Sequence, residues 1–203
     1  MQRIFILSPA FCGGTRAGWL LTDGSRLPLA AKLREAAGAP LGEVFSFVSG
    51  LYFRGKATYA RAFARPPAKL AGVLVITATD GLCELDEPVT IDRLRAFAGA
   101  GIDLEDRRYR RPLERDARRL ASAAGADSEI VLLGSVATPK YVGVLSAAFG
   151  ERLRFPPAFI GRGDMSRGGL LLRCVDDGRE LEYAGLAGAV LHGPRPPRLE
   201  ARR

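Results

Sequence analysis

Asp80 is one of two carboxylates in this chain whose position suggests proton-transfer chemistry. It lies in the polar loop after the apolar run 73–76, where a carboxylate could act as a general base or activate a water molecule. An aspartate followed by a glycine, here Gly81, is also typical of a turn that the side chain stabilises. Both interpretations remain open for Asp80.

Asp164 and His192 are the other two candidates for catalysis. Asp164 lies between Arg162 and Arg167, so it could position a nucleophile or cap the next helix, while the two arginines could clamp an anion. His192 is the only histidine, and imidazole is the side chain whose unperturbed pKa lies nearest neutrality. A single histidine is nevertheless more often structural than catalytic.

A glycine-rich loop follows the first apolar run, 4–7. Backbone N–H groups of such a loop, with an arginine beside them, can hold a phosphate or a carboxylate. The alternative is a simple turn with the arginine in solvent, and a nucleophilic cysteine is disfavoured because no activating base is near in sequence. The predicted anion-binding residues of this loop are Cys12, Gly13, Gly14, Thr15 and Arg16.

A second polar loop follows the apolar run 130–133. It contains Ser135, Thr138, Lys140 and Tyr141 ahead of a predicted helix N-terminus. Hydroxyls, free amides and a cation suit a phosphate or the polar edge of a base, although Ser135 or Thr138 could simply cap the helix. Because Lys140 and Tyr141 exceed what a cap needs, we predict a ligand-binding role.

The segment Gly50-x-x-x-x-Gly55-Lys56 nearly matches a phosphate-binding P-loop. Ala57 replaces the hydroxyl residue that would hold magnesium, and bulky side chains fill the loop. The favoured alternative is an amphipathic helix that opens near Leu51, from whose first turn Lys56 projects and can still reach an anion.

The elements that must position these residues form an α/β pattern. Short, β-branched runs at 2–7, 73–77 and 130–133 predict buried parallel strands, and helical patterns lie between them. The sequence therefore predicts a three-layer α/β/α fold with a mainly parallel sheet of four or more strands. Loops after parallel strands meet at one sheet edge, so Cys12–Arg16, Thr77–Gly81 and Ser135–Lys140 should line one cleft.

Other elements are predicted from periodicity and from helix start and stop signals. The prediction has helices at 27–37, 51–64, 90–97, 112–124, 138–150 and 165–175, a strand or extended loop at 43–49, and short strands at 180–183 and 189–191. Residues 1–192 are predicted to form one domain, and 193–203 a Pro/Arg-rich tail.

Composition limits the class of protein. The chain has 203 residues, three widely separated cysteines and no Cys/His cluster with metal-ligand spacing, so we expect a cytoplasmic protein without a disulfide, metal or cofactor. No apolar run is long enough to span a membrane. The net charge of +8 favours an acidic partner, although the excess of arginine over lysine is also what a GC-rich genome produces.

Two segments resemble a known family. Leu51-Tyr52-Phe53-Arg54-Gly55-Lys56-Ala57-Thr58-Tyr59-Ala60 resembles the "LY…LFRKAR.YA" helix of bacterial and phage proteins related to the YaaA-like group, and Val75–Leu82 resembles their "ILSA.YGLL" strand and loop. The resemblance covers about residues 1–150 and implies a fold similar to uracil-DNA-glycosylase-like domains, with DNA binding. The chain departs from the family's first-loop lysine and has Asp80 where the family has an aromatic residue.

Together these features predict a protein that binds a nucleotide or nucleic acid. The leading hypothesis is an enzyme that acts at an N-glycosidic bond. Asp80 or Asp164 would activate water, and Arg16, Lys56, Lys140 and Arg162 would neutralise phosphates. The alternatives are a non-catalytic nucleic-acid or nucleotide-binding domain and a transferase for a small phosphorylated metabolite.

Overall fold

The computed structural model describes residues 1–137, 139–187, 189, 193–197 and 199. These residues form a six-stranded sheet in the order β4-β3-β1-β6-β7-β8, with helices on both faces, and a separate two-stranded ladder of β2 and β5. The strands are β1 (Gln2–Leu7), β2 (Ala39–Pro40), β3 (Val73–Ile76), β4 (Leu82–Glu84), β5 (Pro88–Val89), β6 (Ser128–Leu133), β7 (Leu153–Phe155) and β8 (Ala184–Gly185).

The helices lie between these strands along the chain, singly or in pairs. They are α1 (Thr15–Leu21), α2 (Pro28–Arg34), α3 (Leu41–Ser49), α4 (Leu51–Phe63), α5 (Ile91–Ala98), α6 (Arg107–Ala123), α7 (Pro139–Phe149) and α8 (Asp164–Asp176), with short 3-10 turns at Gly150–Arg152 and Pro157–Phe159. The mainly parallel α/β/α sandwich predicted from the apolar runs is confirmed.

The central strand β1 runs parallel to both of its neighbours. Leu7 is in register with Val75 of β3 on one side and with Leu133 of β6 on the other, so these three strands end at the same edge. The edge strands β4 and β8 run antiparallel to their neighbours.

Successive side chains of β1 point to opposite faces of the sheet and so contribute to two separate cores. Phe5 and Leu7 face the core covered by α1 to α5 and α8. Ile4 and Ile6 face the other core, covered by α6 and α7. A strand buried on both faces has to be apolar throughout, and this is why the run 4–7 has no polar residue.

The prediction of a strand or loop at 43–49 is wrong. This segment is helix α3, which starts after Pro40 and buries Leu41, Val44 and Phe45. Apolar residues at 41, 44, 45 and 48 also have helical spacing. Over the seven residues 43–49 alone, the apolar residues look like the alternation of a strand, so the helical period is not recognised.

Two other boundaries differ from the prediction. Helix α6 starts at Arg107 and not at Pro112, because the Asp106 carboxylate accepts a hydrogen bond from Arg108 N at 2.8 Å and caps the helix there. Residues 180–183 form no strand, since Leu181 N donates to the Tyr59 hydroxyl at 2.7 Å in place of a sheet partner. The final strand is β8, and residues 190–191 lie outside the described part of the chain.

Candidate functional site

A cleft of about 360 Å³ lies at the carboxyl ends of β1 and β6. This strand-end cleft occupies the place where open α/β sheets bind ligands. It is lined by Ser8, Pro9, Phe11, Ser49, Tyr52, Ile102, Ser135, Lys140, Tyr141 and Asp164. Its residues come from the loop after β1, the junction of α3 and α4, the segment between α5 and α6, the loop after β6, and the first turns of α7 and α8.

Four predicted site residues meet in this cleft: Ser135, Lys140, Tyr141 and Asp164. The Tyr141 hydroxyl donates to the Ser135 carbonyl at 2.9 Å, which fixes the loop against the start of α7. Lys140 is exposed, so its ammonium group is available to a ligand. Asp164 is also exposed, and one of its oxygens lies 3.4 Å from Arg167 Nη1.

Gly134 explains how the two strand ends come so close. A Cβ atom on Gly134 would lie 2.7 Å from the Ser8 Cβ and 2.9 Å from the Tyr141 hydroxyl. Only glycine fits between these groups, so the loop after β6 can lie directly against the loop after β1.

The glycine-rich loop borders a second, shallower depression. Gly14, Thr15 and Arg16 line about 290 Å³ of space that shares Phe11 and Ser49 with the strand-end cleft. Arg16 is exposed and donates to the Phe47 carbonyl at 3.4 Å. Cys12 and Gly13 line neither space.

Cys12 is buried beneath this loop. Its burial raises the pKa of the thiol to about 12, so at neutral pH it is protonated and a poor nucleophile. The cysteine is a packing residue of the core.

Asp80 lies apart from the cleft. Residues 77–81 make the tight turn between β3 and antiparallel β4, in which Thr77 N donates to the Gly81 carbonyl at 2.9 Å. One Asp80 carboxylate oxygen accepts a hydrogen bond from Arg93 Nε of α5, and the other accepts from the Thr79 hydroxyl at 2.7 Å. The prediction that the three loops line one cleft is therefore wrong: the β3 loop is closed off because β3 continues into a hairpin, and Cys12–Arg16 lie beside the strand-end cleft and not in it.

Lys56 is enclosed within the fold. The segment that resembles a P-loop is helix α4, as the alternative interpretation expected, and Gly55 sits where α4 crosses α8. Lys56 is 1% exposed and does not project to the surface as an anion ligand. Its Nζ donates to Ser8 O at 2.7 Å and to Ser8 Oγ at 2.8 Å, directly behind the wall of the cleft.

The two predicted arginine clamps bind protein groups. Arg162 donates to the Ala158 carbonyl at 3.0 Å and to the Ser166 hydroxyl at 3.2 Å. Arg167 donates twice to the Phe159 carbonyl, at 3.1 and 3.2 Å. Neither arginine lines the strand-end cleft, and both hold the start of α8 against the preceding turn.

Thr138 and His192 lie outside the described part of the chain. Ser8 and Tyr52, in contrast, line the cleft and were not predicted as site residues. Ser8 could have been found, because it directly follows β1 as Ser135 follows β6. The Tyr52 hydroxyl is buried without a hydrogen-bond partner among the described residues, which no sequence pattern indicates.

A larger depression of about 910 Å³ lies at the opposite end of the sheet. It is lined by charges of both signs, among them Arg65, Glu129, Glu151, Arg152 and Arg154. Because it borders the amino ends of the strands and these charges offset one another, we place the functional site in the strand-end cleft.

Within the described residues no group of three or more potential metal ligands is found. No helix in the same part of the chain is long and apolar enough to cross a membrane. No protein-family model matches this chain, and no curated protein and no solved structure shows significant similarity to it. The resemblance to the YaaA-like group therefore stays a prediction from the quoted segments.

Proposed function

We propose that the strand-end cleft binds a single nucleotide or an extruded nucleobase. The observation that carries this proposal is the pairing of Phe11 and Lys140 on one cleft at the ends of parallel strands. Phe11 is 72% exposed, which is unusual for a phenylalanine and suits stacking against a base. Lys140 lies in the first turn of α7, where backbone amides and the helix dipole also favour an anion.

The size of the cleft favours a small ligand over a duplex. About 360 Å³ is near the lower end of the range for small-molecule pockets, roughly 300–1,000 Å³. Pro9, Tyr52 and Ile102 supply apolar walls, and Ser49 and Ser135 supply polar groups at the rim. If the ligand is part of a nucleic acid, its base has to leave the stack to enter.

A hydrolytic role at the N-glycosidic bond is the reaction we propose for this cleft. Asp164 is the one predicted catalytic carboxylate that lines it, whereas Asp80 is bound to Arg93 elsewhere. A carboxylate at the rim could orient and deprotonate a water molecule that attacks the sugar carbon.

Calorimetric titration with nucleoside monophosphates, nucleosides and inorganic phosphate tests the binding proposal. We expect Phe11→Ala to weaken nucleotide binding about tenfold or more, because stacking on one aromatic ring contributes roughly 1–3 kcal/mol. Lys140→Ala should weaken binding and reduce its dependence on salt. Trp19→Ala and Lys32→Ala are matched controls, since both side chains are half-exposed and neither lines the cleft.

Base release from nucleosides and from single- and double-stranded DNA tests the reaction. We expect Asp164→Asn to abolish release while nucleotide binding persists, because the amide keeps the shape and cannot accept the proton. If the wild type binds nucleotides but releases no base, the result favours a non-catalytic nucleotide-binding domain. Absence of binding by every nucleotide would contradict the proposal as a whole.

A further inference from the structure

We propose that Ser8 and Lys56 form a nucleophile–base pair in the strand-end cleft, which attacks the acyl carbon of a small carboxylic ester. The inference goes beyond the proposed nucleotide site and depends only on the geometry of these two residues. Serine–lysine pairs are a known means of activating a hydroxyl in acyl transfer.

The first support is the contact between the two side chains. Lys56 Nζ lies 2.8 Å from Ser8 Oγ, within the distance for direct proton transfer, and 2.7 Å from Ser8 O, which fixes the amine in place. Ser8 itself lines the cleft, and its hydroxyl contacts the buried amine behind it.

The second support is the burial of Lys56 without an ion-pair partner. Among the described residues no carboxylate forms a salt bridge with this side chain, although it is fully enclosed in the fold. An unpaired buried ammonium group is costly, and a hydrophobic residue of the same length would fill the space at lower cost. A chemical role would account for a lysine at this position.

The surroundings of Lys56 favour its neutral form. The pKa of Lys56 is lowered to about 7, chiefly by burial; Asp164 of α8 raises it and Arg167 of α8 lowers it by smaller amounts. From its own helix the rings of Tyr52 and Phe53 face the amine at 4.5 and 5.0 Å. Near neutral pH a large fraction of Lys56 therefore has a lone pair that can accept the Ser8 proton.

The first turn of α7 can stabilise the negative charge that develops on the substrate. Lys140 and Tyr141 line the cleft beside Ser8, and the exposed ammonium group of Lys140 supplies positive charge there. Donors aimed at a developing oxyanion are a large part of catalysis in acyl transfer.

In the proposed step the Ser8 Oγ–H proton moves to the neutral Nζ of Lys56 as Oγ bonds to the ester carbon. The carbonyl electron pair moves to its oxygen and returns as the bond to the alcohol breaks, and the departing alkoxide takes the proton from Lys56. Water then attacks the acylated Ser8 by the same route and releases the carboxylic acid and the free hydroxyl.

Hydrolysis of p-nitrophenyl acetate and labelling by a fluorophosphonate, with the labelled peptide identified by mass spectrometry, test the inference. We expect label on Ser8, and its loss in Ser8→Ala. Lys56→Met should reduce both rates by about 100-fold or more, as loss of a general base does. Ser122→Ala, which removes an exposed hydroxyl of α6 outside the cleft, should leave both unchanged.

The dependence of the hydrolysis and labelling rates on pH shows whether Lys56 acts as a base or only packs in the core. Wild-type rates should rise with pH to a plateau, with a midpoint near 7. Lys56→Arg keeps a cation behind Ser8 but cannot act as a base near neutral pH, so it should be as slow as Lys56→Met. Thermal unfolding of each variant shows whether it is folded, and a folded Lys56→Arg with wild-type rates would overturn the proposal.

Absence of both labelling and ester hydrolysis in the wild type, or label on a different residue, would also overturn it. These assays contain no nucleotide, so the two proposals fail separately. Labelled Ser8 without nucleotide binding would refute only the nucleotide site, and nucleotide binding without labelled Ser8 would refute only the Ser8–Lys56 pair.

Discussion

The charge state of Lys56 couples the stability of the protein to pH. Burial lowers the pKa of this lysine from 10.5 to about 7, whereas the unfolded chain keeps the ordinary value. Between pH 7 and pH 10 the unfolded chain therefore binds a proton that the folded chain does not. The contribution of Lys56 to the free energy of unfolding should rise with pH across this range and be constant below about pH 6.

Urea denaturation of wild type and Lys56→Met at pH 6, 7.5 and 9 measures this effect. We expect the wild type to gain stability relative to the variant as the pH rises, because methionine does not titrate. Lys32→Met is the control, since its ammonium group is half-exposed and pairs with Glu43 at 3.1 Å. A constant difference between wild type and Lys56→Met over this range would show that the buried lysine does not lose its proton.

Asp80 has a structural role that a single substitution can reveal. Its carboxylate binds Arg93, which also pairs with Glu87, and so joins the β3–β4 turn to α5. Because the pair is partly exposed, we expect Asp80→Asn to lower the free energy of unfolding by only about 1 kcal/mol. Base release should be unaffected; its loss in a stable Asp80→Asn variant would restore Asp80 as a catalytic candidate.

At the scale of elements, the crossing of α4 and α8 positions both Lys56 and Asp164. The two helices touch through glycines: a Cβ on Gly55 would lie 2.7 Å from the Gly168 carbonyl oxygen, and a Cβ on Gly168 would lie 2.8 Å from the Leu51 oxygen. These neighbours are backbone atoms and cannot move aside without separating the helices. The glycines therefore set the distance from α4 to the start of α8.

We expect Gly55→Ala to destabilise the fold by roughly 1–3 kcal/mol, as overpacking does, although alanine is the better helix former. Gly143→Ala in α7 is the matched control, because a Cβ at Gly143 meets no atom within 4 Å. The free energy of unfolding of Gly143→Ala should rise by about 0.5–1 kcal/mol, because alanine has the higher helix propensity. Thermal or urea unfolding of both variants makes the comparison, and a stabilised Gly55→Ala would contradict the close crossing.

At the scale of the whole molecule, Arg3 joins distant parts of the chain. Its guanidinium donates to Glu129 of β6 at 2.8 Å and to Glu180 after α8, and it stacks on the Tyr183 ring at 4.8 Å. The Arg3 side chain is 10% exposed. These contacts attach the segment after α8 to the central strand of the sheet.

Removing the guanidinium would leave two carboxylates in a largely buried position. We expect Arg3→Ala to lower the free energy of unfolding by about 2–3 kcal/mol, less than for a fully uncompensated buried pair, because Arg154 remains 3.8 Å from Glu129 and Arg65 3.6 Å from Glu180. Arg61→Ala, which removes an exposed pair with Asp86, should cost less than about 1 kcal/mol. Urea denaturation measures the free energy of unfolding of both variants. If both lose the same small amount of stability, Arg3 behaves as an ordinary surface charge.

Basic residues do not by themselves mark the site, because the densest basic stretch of the chain pairs with acidic neighbours. In the arginine-rich helix α6, Arg110 and Arg118 lie near Glu114, and Arg115 pairs with Asp116. The arginines of this helix therefore form part of a salt-bridged surface. Exposed pairs of this kind contribute little to binding or stability.

The sequence by itself determined the mainly parallel sheet and the edge at which the loops after β1 and β6 meet. Continuous apolar runs such as 4–7 and 130–133 can be buried on both faces only in a sheet covered by helices, and parallel order brings their carboxyl ends together. For that reason the loop of Ser135, Lys140 and Tyr141 could be placed beside the loop after β1 without coordinates.

Only the tertiary structure decided which polar residues enter the cleft. Asp80 follows a strand as Ser8 does, but β3 turns back into an antiparallel partner and Arg93 of a distant helix binds its carboxylate. The sequence predicts that Lys56 projects from the helix toward an anion. In the structure α4 packs closely on α8 at Gly55 and Gly168, and Lys56 is buried in contact with Ser8. Contacts between residues far apart in sequence set these outcomes, and local periodicity carries no information about them.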